Sequence, residues 1–191
     1  MKLPVKITER DNSISLFIGD RKFNLFQGDV LDLQADALVC PVDQGLDFRS
    51  GLARVIAQAA GGHEIRNEKP LFPEPFGKVV VLPGGKLNVK YLFLAVILGE
   101  SSHDRLRLYI RQAVDRAIRY AEFLRLQSIA FPVLGCPKSN PSYSLVAKEM
   151  LEDVFQYFNR RHTKIKSIFL SAFNSEAYQT LKNQVKFLFV D

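Results

Sequence analysis

The fold is decided by the stretch Asp36-Ala-Leu-Val-Cys40, a short apolar run that predicts a buried strand ending at Pro41. A helical pattern follows from about Gly51, with Ser50 as the expected N-cap. The apolar residues of this helix are spaced to share one face: Leu52, Val55, Ile56 and Ala59. A buried strand followed by a helix that covers it is the unit from which parallel sheets are built.

The rest of the chain continues this alternation. Two short runs, 13–18 and 22–26, are joined by Gly19-Asp20 and predict an N-terminal hairpin. Strands are then expected at 78–82, 91–98, 128–133, 167–173 and 185–190, and helices at 103–124, 144–159 and 175–183. We therefore expect one α/β domain over 1–191, with three α/β/α layers and a mixed, largely parallel sheet.

In such sheets, ligands bind in the crevice beyond the carboxyl ends of the strands. Four segments follow predicted strands and become candidate site segments on that rule alone: 40–51, 82–88, 135–143 and 173–174.

Composition narrows the class of protein. Hydrophobic residues make up 47% and charged residues 24%, which is typical of a soluble globular domain and excludes a disordered chain. The formal net charge of +6 favours anionic partners. The longest apolar run, Leu92 to Leu98, is far shorter than the roughly 20 residues of a membrane span. With two distant cysteines and no secretory signal, we expect a cytoplasmic protein without disulfides or a membrane partner.

Several motifs of well-known sites are absent from the sequence. It contains no G-x-G-x-x-G fingerprint, no G-x-x-x-x-G-K-[ST] loop and no G-x-S-x-G elbow. The three histidines lie in unrelated segments and give no metal-ligand spacing. We therefore expect neither a metal nor a cofactor.

Five stretches together resemble the macro domain family, which binds ADP-ribose. They are Gln27-Gly-Asp-Val30 with Ala35-Asp-Ala-Leu-Val39, then 51–61, 77–83 with 90–93, 128–135, and 172–178. The resemblance runs from about Leu25 to Lys182, so the N-terminal hairpin strand and the C-terminal strand are additions to it.

The resemblance implies a role for particular residues of this chain. Asp29 would accept a hydrogen bond from the adenine amino group, and the ring of Phe173 would cover the base. The other ligand-binding residues that it implies are Val30, Cys40, Asp43, Gly51, Leu52, Gly135, Cys136 and Asn174. Both cysteines follow strands that lead to this site, so they are expected near one another at its mouth.

The phosphate-binding part departs from the family pattern. Where the family usually reads Asn-Ala-Ala-Asn, this chain has Cys40-Pro-Val-Asp43, and Ala53 aligns with an aspartate often used for hydrolysis. The second phosphate loop contains Pro137 and Pro141, which remove two backbone N–H donors. Either Arg49 and Lys138 compensate with their charge, or the pocket is degenerate.

These observations predict a divergent macro domain that binds ADP-ribose or a related adenine nucleotide, free or on a modified protein, and has no catalytic residue for hydrolysis. One alternative is an ADP-ribosyl hydrolase with relocated residues such as Asp43. Another is a scaffold with a vestigial pocket that contacts RNA weakly through the arginines of the 103–124 helix, unless these form an ordinary solvated face. Those arginines are Arg105, Arg107, Arg111, Arg116 and Arg119.

Overall fold

The computed structural model describes residues 5–48, 51–62, 71–100, 102–134, 143–158 and 163–189. In these residues, eight strands form one sheet in the order β1-β2-β3-β8-β7-β4-β6-β5. The strands are β1 (Val5–Arg10), β2 (Ser13–Ile18), β3 (Arg21–Gln27), β4 (Ala37–Val42), β5 (Val79–Pro83), β6 (Tyr91–Val96), β7 (Ser128–Pro132) and β8 (Ser167–Ala172). The α-helices are α1 (Gly51–Ala59), α2 (His103–Phe123), α3 (Tyr143–Phe158) and α4 (Ser175–Phe189).

The sheet is mixed and largely parallel, as the sequence predicts. The neighbouring strands β3, β8, β7, β4 and β6 run in one direction. The meander β1-β2-β3 is antiparallel, and β5 is antiparallel to β6. The carboxyl ends of five adjacent strands therefore lie on one edge of the sheet, which we call the carboxyl edge, and their starts lie on the opposite amino edge.

The period of two along each strand produces the three layers. In β4, Leu38, Cys40 and Val42 face the cluster that includes α1, whereas Ala37 and Val39 face the cluster that includes α2, α3 and α4. The α/β/α architecture is confirmed. The strand β4 also passes through Pro41 to Val42, one residue beyond the predicted end. The pairing of β4 with β7 covers only Ala37 and Leu38, so the backbone N–H that Pro41 lacks would lie beyond the end of this ladder.

The helix α2 is close to the sequence prediction. All seven apolar residues expected on its inner face are buried: Leu106, Ile110, Ala113, Val114, Ala117, Ile118 and Ala121. Within the described parts of the chain, no helix is both long enough and apolar enough to cross a membrane.

The predicted last strand at 185–190 is wrong. The helix α4 continues to Phe189, because Ala177, Leu181 and Val185 recur every fourth residue and are all buried against the sheet. The strand β1 was not predicted, because its side chains are mostly exposed and its sequence carries little apolar signal.

The predicted inner face of α1 is rotated in the structure. The helix buries Ala53, Ile56 and Ala57, whose small side chains allow it to lie close to β4. Leu52 is half-buried and packs against this core, whereas Val55 is 45% exposed and does not belong to the core face as expected.

Asp36 fastens the amino edge. Its Oδ2 accepts hydrogen bonds from the backbone N–H groups of Gln127 (2.7 Å) and Ser128 (3.1 Å), and its Oδ1 pairs with Lys90 at 2.8 Å. Burial alone would raise the pKa of Asp36, but the hydrogen bonds from Lys90 and from these N–H groups outweigh it and lower the pKa. One carboxylate thus joins the starts of β4, β6 and β7.

Candidate functional site

A cavity of about 400 Å³ opens at the carboxyl edge of the sheet. Its lining comes from the segment after β3, from α1, from the end of β7 and from the junction of β8 with α4. This volume is toward the lower end of the roughly 300–1,000 Å³ of small-molecule sites. We call this cavity the cleft.

Five of the residues predicted for the site line the cleft. They are Asp29, Val30, Leu52, Phe173 and Asn174. The parallel pairing of β3 with β8 places Gln27 opposite Ala172 at the end of the ladder. The residues that follow these two strands, Asp29 and Phe173 among them, are therefore neighbours. Leu52, which packs against the core cluster beneath α1, also lines the cleft.

Five further residues line the cleft that were not expected from the sequence: Val55, Pro132, Val133, Ser171 and Ala177. Some signals for them are present in the sequence. Val55 lies one helical turn after Leu52, and Ala177 lies one turn into the helix that follows Phe173. Ser171 is two residues before Phe173 and therefore lies on the same side of β8.

Asp29 presents a carboxylate with one oxygen available to a ligand. Its Oδ1 accepts a hydrogen bond from the N–H of Leu31 at 2.9 Å and caps a short 3-10 turn, Val30–Asp32. Among the described residues, no group bonds to Oδ2. The side chain is half-buried at the cleft wall, so its second oxygen can accept a hydrogen bond from a ligand amine.

Phe173 supplies an aromatic face at the same site. It follows the last residue of β8 and is 79% exposed, although it is a large apolar side chain. The next residue, Asn174, caps α4 by accepting a hydrogen bond from the N–H of Ala177 at 2.8 Å. Phe173 is therefore held between a strand end and a helix cap, and its ring remains available for stacking.

Three predicted site residues are not among those that line the cleft. Cys40 is fully buried beneath α1, and burial raises the pKa of its thiol far above the usual range. Asp43 uses its Oδ1 to accept from the backbone N–H groups of Gly45 (3.0 Å) and Asp47 (2.9 Å), which fixes its own turn. Gly51 begins α1 with φ of +57° and is exposed without lining the cleft.

The candidate segment 82–88 was placed at the wrong edge. Because β5 runs antiparallel to β6, the residues that follow β5 lie at the amino edge, whereas the cleft opens at the carboxyl edge. Its position depends on strand direction, which the apolar pattern of a single strand does not reveal.

Several predictions fall outside the described residues. They concern Gly135 and Cys136 of the second phosphate loop, its two prolines and Lys138, and also Arg49 and Ser50 before α1. The expected proximity of Cys40 and Cys136 also stays a prediction, because Cys136 is outside the described residues. Within the described ranges, no cluster of three or more histidine, cysteine, aspartate or glutamate residues could hold a metal ion.

The five arginines of α2 all bond to acceptors within the chain. Four of them pair with carboxylates: Arg105 with Glu100 (3.4 Å), Arg107 with Glu149 (2.6 Å), Arg111 with Asp153 (3.5 Å) and Arg119 with Asp115 (2.6 Å). The fifth, Arg116, donates a hydrogen bond to the carbonyl oxygen of Gly77 (2.6 Å). These contacts favour a structural role for the helix face over a phosphate-binding one, because its positive charge is largely compensated.

Comparison with known proteins gives a consistent result. The family model described as "Macro domain" matches residues 39–150. An uncharacterised protein of Sulfurisphaera tokodaii is 31% identical over 170 residues, which cover 83% of this chain and 88% of that protein. A macro domain-containing protein of Xanthomonas campestris is 25% identical, with 83% and 92% covered.

Solved structures show the same fold. The Oceanobacillus iheyensis macrodomain with ADP superposes with a TM-score of 0.81 at 19% identity, covering 93% of this chain and 97% of that one. The Trypanosoma brucei macrodomain in complex with ADP-ribose superposes with a TM-score of 0.76 at 19% identity, covering 85% and 68%.

Proposed function

This chain belongs to the macro domain family, and on that premise we propose that its cleft binds ADP-ribose or a related adenine nucleotide, with the adenine base in the cleft. One observation carries the proposal. The cleft combines an exposed aromatic ring, Phe173, with a carboxylate oxygen on Asp29 that no described group occupies. A ring face stacks on a base, and a carboxylate acceptor selects a base that carries an amino group.

The remainder of the cleft supports a base as the occupant. Val30, Leu52, Val55 and Pro132 contribute apolar surface to its wall. Small-molecule sites usually combine such surface with a few polar groups that fix the orientation of the ligand. A flat purine satisfies both requirements, since its faces are apolar and its edge carries the hydrogen-bonding groups.

We propose further that the domain binds its ligand without hydrolysing it. Ala53, which stands where the family often has a hydrolytic aspartate, has no group that could activate water, and it is buried on the inner face of α1. Asp43, the relocated candidate, already accepts two backbone hydrogen bonds through Oδ1. A protein that carries ADP-ribose would present the same adenosine group to the cleft, so a modified protein is a second candidate partner.

Asp29→Asn tests the proposed function most sharply. The N–H of Leu31 needs an oxygen at the Oδ1 position, so the new NH₂ group should take the place of Oδ2. The variant thereby replaces the ligand-facing acceptor with a donor and keeps the cap, since asparagine caps as well as aspartate.

Calorimetry with AMP and IMP measures the outcome. We expect Asp29→Asn to weaken AMP binding by about tenfold or more, because a hydrogen bond to a charged acceptor is lost. Binding of IMP, which carries an oxygen in place of the amino group, should be unchanged or stronger. Asp32→Asn is the matched control, because this exposed carboxylate lies in the same turn and does not line the cleft. Equal weakening of AMP and IMP in Asp29→Asn, or no nucleotide binding by the wild type, would contradict the proposal.

A further inference from the structure

We propose that Ser171 is a positioning residue that sets the Asp29 carboxylate in register with Phe173, an inference that rests on the proposed function. Ser171 lies on β8 and is 3% exposed. Its Oγ donates a hydrogen bond of 2.6 Å to the carbonyl oxygen of Gly28, the residue before Asp29.

This bond extends the sheet beyond its regular ladder. The pairing of β3 with β8 ends where Gln27 lies opposite Ala172. One residue further, the N–H of Gly28 donates to the carbonyl of Ala172 at 3.1 Å, and its carbonyl accepts from the Ser171 hydroxyl. Both backbone polar groups of Gly28 are therefore held by β8, one of them by a side chain.

The hydroxyl acts on Asp29 through the peptide plane. The carbonyl of Gly28 and the N–H of Asp29 belong to one planar peptide unit, so a bond that fixes the carbonyl oxygen also fixes the position of the Asp29 Cα. Glycine has more backbone freedom than any other residue, and without this bond the plane could rotate. On its other side, Asp29 is held by the turn, through Leu31 N–H to Oδ1 (2.9 Å) and Asp32 N–H to its carbonyl (3.1 Å).

The same strand carries both halves of the proposed base site. Phe173 comes two residues after Ser171, so the strand that presents the ring also holds the peptide of the carboxylate. A base stacked on the Phe173 ring reaches the acceptor oxygen of Asp29 only if the ring and the carboxylate are placed so that the amino group and the oxygen come within hydrogen-bond distance. We infer that Ser171 contributes to discrimination between bases rather than to stacking.

The test compares Ser171→Ala with Ser15→Ala. Ser15 is also a buried serine of the sheet, accepts a hydrogen bond from Asn24 at 2.8 Å, and lies on β2 away from the cleft. By calorimetry, Ser171→Ala should weaken AMP binding by about 3- to 10-fold, the value of one ordinary hydrogen bond, and leave IMP binding unchanged. Ser15→Ala should change neither. Equal effects of Ser171→Ala on AMP and IMP, or no effect on either, would overturn the inference.

A second readout separates this inference from the proposed function. In the ligand-free protein, hydrogen exchange at the Leu31 amide reports the bond to Asp29 Oδ1. Ser171→Ala should reduce protection of this amide about tenfold, whereas Ser15→Ala should leave it unchanged. If the wild type binds no nucleotide, the proposed function fails, and loss of protection still supports the positioning role. Equal protection in wild type and Ser171→Ala overturns that role even if AMP binds.

Discussion

Phe173→Ala separates ligand binding from stability more clearly than any other substitution in the cleft. The side chain is 79% exposed, so its removal withdraws little buried surface. Substitutions at such positions usually change the free energy of unfolding by less than about 0.5 kcal/mol. The variant should therefore fold with an unchanged thermal midpoint, and any loss of affinity should come from the site.

The expected loss of affinity follows from base stacking. Removing an aromatic platform costs about 1–3 kcal/mol per base, and about 1.4 kcal/mol corresponds to tenfold in the dissociation constant. Phe173→Ala should therefore weaken AMP and ADP-ribose by about one to two orders of magnitude. Both ligands should lose the same factor, because the proposed binding mode places the adenine of both on the ring.

Calorimetry on wild type and two variants provides the measurement. Phe123→Ala is the matched control: Phe123 is 83% exposed, ends α2 near the amino edge and does not line the cleft. Unchanged binding of both nucleotides by Phe173→Ala would refute the stacking argument. Tight binding of ADP-ribose without detectable AMP binding would instead assign most of the binding energy to the phosphates, the role for which the sequence suggests Arg49 and Lys138.

Three further predictions follow from the structure. Wild type and Asp43→Ala should both fail to release ADP-ribose from a modified protein; turnover by the wild type that disappears in Asp43→Ala would favour the hydrolase alternative. Arg107→Ala should lower the free energy of unfolding by about 1.5–3 kcal/mol, because Glu149 is only 2% exposed and loses the guanidinium that donates to its Oε1, while Arg111 remains 3.8 Å from its Oε2. Arg119→Ala, in an exposed pair, should leave the thermal midpoint unchanged, and equal effects of the two substitutions would refute this. Burial raises the pKa of Asp153 from 3.8 to about 6, so the folded state binds a proton at this carboxyl more tightly than the unfolded state does. The contribution of Asp153 to the free energy of unfolding should therefore rise as the pH falls from about 7 to 4, by on the order of 2–3 kcal/mol. The difference in unfolding free energy between wild type and Asp153→Asn, measured by denaturant titration at pH 7.5 and pH 4.5, should change by this amount, and a constant difference would contradict it.

The sequence determined most of the local structure, because periodicity reports which side of an element is buried. The seven buried residues of α2 and the buried strand β4 follow directly from spacing of 3.6 and from an apolar run. Where that signal is ambiguous, the prediction fails. The run at 185–190 is apolar enough for a strand, yet its described residues, 185–189, continue a helix whose buried positions begin at Ala177.

Contacts between distant segments decided the remainder, because a local pattern does not contain the partner of an element. The direction of β5, which moved 82–88 to the amino edge, depends on its pairing with β6. The burial of Cys40 beneath α1 depends on which helix packs against its face of β4. Composition likewise gave no warning that two arginines of α2, Arg107 and Arg111, would meet carboxylates of α3.

The candidate site shows the same division. Asp29 and Phe173 were identified by the motifs around them, each from its own short stretch of chain. Their proximity arises from the parallel pairing of β3 with β8, which joins residues 144 positions apart in sequence. The hydroxyl of Ser171 completes that junction, and no local pattern marks it, because a hydrogen bond to Gly28 exists only after the two strands have paired. Sequence alone thus determined which groups could recognise a base, and the tertiary structure decided that they share one cleft, since strand pairing is a property of the whole sheet.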